Sequence, residues 1–246
     1  MLVAAAVCPC PPLLLPEVAA GAAPELDAAR TACLDALGVL AAARPDLLVV
    51  VGLAGQESRG AHPAGTTGSF RGFGVDLEVR LGAEPSPGRA AGAPPIASSR
   101  PLPPSLAVGA WLLDRARWAD VPVEGLGVGE PLDGDRCARA GRELAARADR
   151  VALLVMGDGS ACRTLKAPGY LDERAVDFDA RATRALGSAD LAALRGLDES
   201  LAYELKVAGR APWQVLAGAA EGAGLGGQLL YEDAPYGVGY AVATWS

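Results

Sequence analysis

Three unbroken apolar runs constrain this chain more than any other feature. They are Leu2–Val7, the core of Asp46–Leu53 (Leu47, Leu48, Val49, Val50 and Val51) and Val151–Met156. None alternates apolar with polar residues. A strand that is apolar on both faces belongs to a sheet covered on both faces, the environment of parallel strands in α/β proteins. Each run is far short of the roughly 18 residues that a membrane helix requires. Between the runs lie stretches with apolar residues at helical spacing. Strands alternating with helices predict an α/β three-layer sandwich: a central mixed, mainly parallel sheet with helices on both faces.

The remaining elements follow from local chemistry. Glu25–Ala43 has helical periodicity and begins after Pro24, a residue suited to a first helical position. Gly74–Leu81 alternates, with Val75, Leu77, Val79 and Leu81 against Asp76, Glu78 and Arg80, which predicts a half-exposed strand. Glu84–Pro104 is rich in Pro, Gly and Ala, and a flexible surface loop is expected over about 82–104. Ser105 is expected to cap a helix running to Trp118. A strand is expected at Val123–Val128 and an amphipathic helix at Asp135–Ala148. Further helices are expected at Asp172–Leu186, Asp190–Leu194, Glu199–Val207 and Pro212–Gly222, and closing strands at Gln228–Tyr231 and Gly239–Trp245.

The 246 residues fit a single α/β domain spanning the chain. A net charge of −7 with no basic run argues against nucleic acid and anionic membrane surfaces as partners. The apolar start, Met1 to Leu15, lacks the basic region of a signal peptide and is broken by Pro9, Pro11 and Pro12, so it reads as a strand entering a turn. Five cysteines at irregular spacing do not make a disulfide framework, and a cytoplasmic protein with free thiols is expected.

Several motifs bear on chemistry. Gly222-Ala-Gly-Leu-Gly-Gly227 matches the dinucleotide glycine pattern, but it follows a helical segment and precedes a strand. That is the reverse of the arrangement in which glycines open a helix toward a pyrophosphate. Cys8-Pro-Cys10 supplies two thiols without the second pair that a structural zinc site uses. Ser160, His62 and Asp158 lack a nucleophile-elbow signature, and His62, the single histidine, stands in a polar loop before Pro63. More informative is Met156-Gly-Asp-Gly-Ser-Ala-Cys-Arg-Thr-Leu-Lys166, which leaves a buried strand where open α/β sheets place their crevices. Its backbone N–H groups at Gly159 and Ser160, with Arg163 and Lys166, suit a carboxylate or phosphate. A plain Gly-Asp turn capped by Ser160 fits the same residues. Tyr236 and Tyr240, in a segment rich in glycine, suit a cleft wall or an oligomer contact.

Two stretches resemble the catalytic subunit of class III extradiol ring-cleavage dioxygenases, the LigB-like superfamily. One is Val7-Cys-Pro-Cys10-Pro-Pro-Leu-Leu14, where the family has a strand ending in Pro-His-Pro-Pro. The other is Gly157-Asp158-Gly159-Ser160-Ala161, followed by Ala167-Pro-Gly-Tyr170 and Phe178-Asp179, where the family shows Gly-Asp-x-Ser-His, a similar spacer and a Phe-Asp on the next helix. The Asp46–Gly52 strand and a Gly209–Ala220 helix also fall where the family has elements. The resemblance implies the three-layer fold, assembly into a homo-oligomer, and Fe(II) held by two His and one Glu, with a further His as acid/base.

Residue by residue, the iron site does not carry over. The first His position falls on Cys10, the second near Leu53-Ala54, the acid/base on Ala161 with Cys162 beside it, and the Glu near Ala211. Three readings follow. The first is a non-catalytic or repurposed member that binds a small anionic or aromatic ligand in the old cleft through Cys10, His62, Asp158, Gly159, Ser160, Arg163 and Tyr236. The second is a metal-dependent oxidoreductase using Cys10, His62 and a carboxylate such as Glu57 or Asp158, a donor set that favours zinc or copper over iron. The third is a structural or assembly partner with no small-molecule site. If chemistry survives, Cys10, Asp158, Ser160 and Cys162 are its candidates. Cys10 and Cys162 are expected to lie near each other, with one or both labelling faster than Cys33.

Overall fold

The computed structural model describes residues 1–83, 100–119 and 121–246. Nine strands are described: β1 (Leu2–Cys8), β2 (Leu47–Leu53), β3 (Gly60–His62), β4 (Thr67–Ser69), β5 (Glu78–Arg80), β6 (Val123–Val128), β7 (Val151–Met156), β8 (Gly227–Asp233) and β9 (Tyr240–Trp245). The helices are α1 (Pro16–Ala19), α2 (Asp27–Ala42), α3 (Pro104–Arg115), α4 (Gly134–Ala145), α5 (Arg174–Ser188), α6 (Leu191–Arg195), α7 (Glu199–Glu204) and α8 (Arg210–Ala219). Seven strands form one sheet in the order β3-β6-β2-β7-β1-β9-β8. The central four, β6, β2, β7 and β1, are parallel, and β3, β9 and β8 add antiparallel at the edges.

The three apolar runs are the three innermost parallel strands. Leu47 to Gly52 pair with Val151 to Met156, and Ala4 to Cys8 pair with Ala152 to Met156 on the other side of β7. Alternation along each strand divides the core in two. Ala5, Val7, Val49, Val51, Leu153 and Val155 meet α4, α5 and α8 on one face. Ala4, Ala6, Cys8, Leu48, Val50, Leu154 and Met156 meet α2 and α3 on the other. These are the predicted layers, with a core on each side of the sheet.

Three helices start at aspartates whose side chains accept a backbone N–H from the first turn: Asp133 from Arg136, Asp190 from Ala193 and Asp198 from Leu201. Such caps are worth about 1 kcal/mol each. The tightest helix packing is between α4 and α8. A Cβ at Gly141 would collide with the Val215 carbonyl, and one at Gly218 with that of Ala138, so backbone meets backbone at this crossing.

Three expectations need correction. The Gly74–Leu81 strand shrinks to Glu78–Arg80, which pairs with β4 in a separate two-stranded sheet. Phe70–Gly74 turns instead, because a short helical turn over Arg71–Phe73 ends at Gly74 in the left-handed region. Ser105 does not cap α3. It lies inside the helix, and its hydroxyl donates to the Leu53 carbonyl at 2.6 Å, tying α3 to the end of β2. Pro24 sits inside a short 3₁₀ segment, and α2 begins at Asp27. Of the loop expected over 82–104, residues 84–99 lie outside the described residues.

Candidate functional site

The parallel strands end together, and their carboxyl ends form the edge where the chain places its polar side chains. Pro9 ends β1 and Gly157 ends β7, with the Gly157 N–H still donating to the Cys8 carbonyl at 2.9 Å. One residue further on, the Cys10 N–H donates to Oδ1 of Asp158 at 2.8 Å, and the Cys10 thiol reaches Oδ2 at 3.8 Å. The Asp158 carbonyl accepts from the N–H of Gly209, the residue before α8, at 2.8 Å. Asp158 thus ties together β1, β7 and α8.

No cation pairs with this carboxylate among the described residues. Burial pushes the Asp158 carboxyl up to about 6, against the opposing pull of its two hydrogen bonds from Cys10. Cys10 is 8% exposed, and burial followed by the charge of Asp158 pushes its thiol up. Tyr240, at the start of β9, is 2% exposed and points to the same sheet face as Val242, the face of Cys8 and Cys10. Burial first, then the charges of Asp158 and Cys10, hold its hydroxyl protonated. Among the described residues that hydroxyl makes no hydrogen bond. Tyr236 stands nearer solvent, donates to Glu25 Oε2 at 2.8 Å, and adopts a left-handed φ of 58°, a strained backbone for an aromatic residue.

The Gly-Asp-Gly-Ser loop uses its donors internally. The N–H groups of Gly159, Ser160, Ala161, Cys162 and Arg163 donate respectively to the Gly239 carbonyl, Asp179 Oδ1, the Leu205 carbonyl, Ser160 Oγ and the Gly237 carbonyl. The Arg163 guanidinium is bound to Asp179 Oδ2 at 2.8 Å, and Asp179 is 3% exposed. Burial raises the Asp179 carboxyl, opposed by Ser160 and Arg163. The backbone N–H groups from Gly159 to Arg163, expected to hold an anion, are therefore all used within the protein, and Lys166 is exposed. Ser160 is a turn residue: its hydroxyl donates to the Leu205 carbonyl at 3.2 Å and accepts from Cys162.

Other candidates lie apart. Cys162 is 2% exposed and packs in the core facing α5 and α8, whereas Cys10 packs in the core facing α2 and α3. The expected proximity of the two thiols gives way to opposite sheet faces. His62 is not a surface residue. It is 1% exposed on β3, where its Nε2 meets the Ser58 carbonyl at 2.8 Å and its Nδ1 has no partner among the described residues. β6 and β2 separate β3 from β7, about 14 Å at ordinary strand spacing. Glu57 is exposed on the turn before β3. The Cys10, His62 and Glu57 set is not assembled, and among the described residues no group of three or more His, Cys, Asp or Glu is placed to hold a metal ion. Nor do the side chains fit Fe(II) at the positions the resemblance implies. Ala54 and Ala211 are buried hydrocarbon, Ala161 has no donor side chain, and only Cys10 offers a ligand atom. All five cysteines are free and buried.

Sequence reasoning missed the role of Asp179. Its signal was present: helical spacing places it with Ala175, Phe178 and Ala182 on the buried face of α5, where a lone carboxylate requires partners. It also missed Arg210, 2% exposed at the start of α8 and bound to Gln214 and to Glu130 and Leu132 after β6.

The fold is similar to that in the crystal structure of an uncharacterized protein, JW3007, from Escherichia coli K12. The TM-score is 0.57 at 15% sequence identity, over 99% of this chain and 100% of that one. At such identity the likeness extends to the fold alone. No protein-family model matches the chain, and no curated protein matches it. No described helix is long and apolar enough to cross a membrane.

Proposed function

We propose that this chain is a divergent relative of the class III extradiol dioxygenase catalytic subunits that has given up the iron site and binds a small aromatic ligand where the carboxyl ends of β1 and β7 meet the start of β9. The observation that carries this reading is the grouping of Cys10, Asp158 and Tyr240: among the described residues, a carboxylate with no cation paired to it, near the hydroxyl of a buried tyrosine that makes no hydrogen bond. These groups offer a ligand one acceptor and one donor. Of the two ligand classes expected from the sequence, the neutral aromatic one fits better, because an anion would meet the Asp158 carboxylate, with which no cation pairs among the described residues. Reduced, buried thiols agree with a cytoplasmic protein.

The test is ligand-observed NMR with phenol and with benzoate, on wild type and on Asp158→Ala and Tyr240→Phe. Phenol binding that weakens at least tenfold in each variant, with benzoate binding weaker than phenol, is the expected result. Binding unaffected by both substitutions, or tighter for benzoate, would refute the reading. A transition metal present at near one equivalent in protein purified without an affinity tag would favour the oxidoreductase reading instead.

A further inference from the structure

The same edge holds the parts for a covalent reaction. Cys10 is the one cysteine whose sulfur lies against a carboxylate oxygen, 3.8 Å from Asp158 Oδ2, and Asp158 is fixed there by the Cys10 N–H at 2.8 Å. The other thiols are placed differently: those of Cys137 and Cys162 face the carbonyls of Leu132 and Leu205, and Cys33 and Cys8 lie together in the core facing α2 and α3. Tyr240 supplies an independent observation, a phenol 98% buried by its 2% exposure, on the sheet face of Cys10 and with no hydrogen-bond partner among the described residues. A nucleophile, a base in contact with its proton and a free donor are the three groups that conjugate addition uses.

We propose that Cys10 adds to small neutral α,β-unsaturated carbonyl compounds, with Asp158 as its base and Tyr240 as the donor to the carbonyl oxygen. The Sγ–H proton passes to Asp158 Oδ2 as sulfur bonds to the β-carbon of the alkene. The alkene π pair moves toward the carbonyl and forms an enolate whose oxygen accepts the Tyr240 hydrogen bond. Asp158 then returns the proton to the α-carbon. The S–H bond has been added across C=C, no electrons leave the system, and Asp158 is regenerated as a carboxylate. The proposal rests on the binding site of the preceding reading and adds chemistry to it.

The probe is 2-cyclohexen-1-one, an acceptor too weak to label an unassisted buried thiol quickly. Adduct formation is followed by intact-protein mass spectrometry and located by peptide mapping. A single adduct on Cys10 is expected, forming at least tenfold more slowly in Asp158→Asn and several-fold more slowly in Tyr240→Phe. Asp158→Asn keeps an oxygen to accept the Cys10 N–H, and circular dichroism verifies that each variant is folded. Should one variant not fold, the other carries the comparison. Labelling first at another cysteine, or at Cys10 with equal rates in the folded variants, would overturn the proposal. Phenol binding as described above together with no Cys10 adduct would overturn this inference and leave the binding function standing.

Discussion

The backbone N–H of Cys10 donates to Oδ1 of Asp158 at 2.8 Å across 148 positions of sequence. This one bond joins the ends of β1 and β7 and fixes the carboxylate at the strand edge. Asp158→Ala leaves the Cys10 N–H without its acceptor and is expected to cost about 1–3 kcal/mol. Asp158→Asn keeps an acceptor and should cost less. Urea unfolding of the two variants checks the difference.

Asp158 also sets a pH dependence. Its carboxyl is raised from 3.8 to about 6 in the folded chain. Between those values the folded state holds a proton that the unfolded state has released, so this group favours folding fully below about 3.8 and loses that contribution as pH rises through about 6. The loss is at most about 3 kcal/mol. Asp172, held low at about 2 by Arg174, gives the opposite trend but is common to both proteins and cancels. Stability of wild type relative to Asp158→Asn should therefore fall between pH 4 and pH 7, as urea titrations at several pH values would show. A constant difference would contradict the assignment.

Asp179 is a structural charge. It receives Ser160 N–H at 2.7 Å and Arg163 at 2.8 Å while 3% exposed. Removing one partner of a buried pair leaves the other uncompensated, at a cost of about 3–5 kcal/mol. Because Arg163 is 24% exposed and can rehydrate, Arg163→Ala should be less costly than Asp179→Ala. Thermal unfolding of both variants tests the order.

The α4–α8 crossing has no room for a methyl group. Gly141→Ala and Gly218→Ala should each lower stability by about 1–3 kcal/mol or more through overpacking against backbone. Differential scanning calorimetry measures this, and unchanged melting temperatures would mean the helices separate freely.

His62 packs beside Gly125 and Gly127 of β6, and a Cβ at Gly125 would crowd it. His62→Ala should destabilise by about 2–4 kcal/mol through the cavity it leaves, with phenol binding unchanged at the permissive temperature. Loss of binding in a folded His62→Ala protein would draw β3 into the site.

The sheet was readable because its inner strands are written as continuous apolar runs: Leu47–Val51 and Val151–Met156 admit few other fates in a chain with helical spacers. The edge strands were harder. His62 looked like a loop residue because β3 is three residues long and owes its burial to β6, which no local pattern announces. Alternation over Gly74–Leu81 suggested a longer strand, since Val75 and Leu77 are apolar for packing rather than pairing. At the site, Gly157-Asp158 at a strand end and Cys10 after a proline could be placed individually. Their contact depends on β1 and β7 lying side by side, a tertiary fact. The internal use of the N–H groups from Gly159 to Arg163 depends likewise on Asp179, Leu205 and β9 arriving from distant sequence.

The central claim is that the edge formed by Cys10, Asp158 and Tyr240 binds a small neutral aromatic molecule without iron. Titration of phenol into metal-free wild-type protein, followed by ligand-observed NMR and repeated with Asp158→Ala, tests it most directly. Saturable binding in the wild type that weakens at least tenfold in the variant is the predicted result. Absence of phenol binding, or equal binding by the two proteins, would contradict the account.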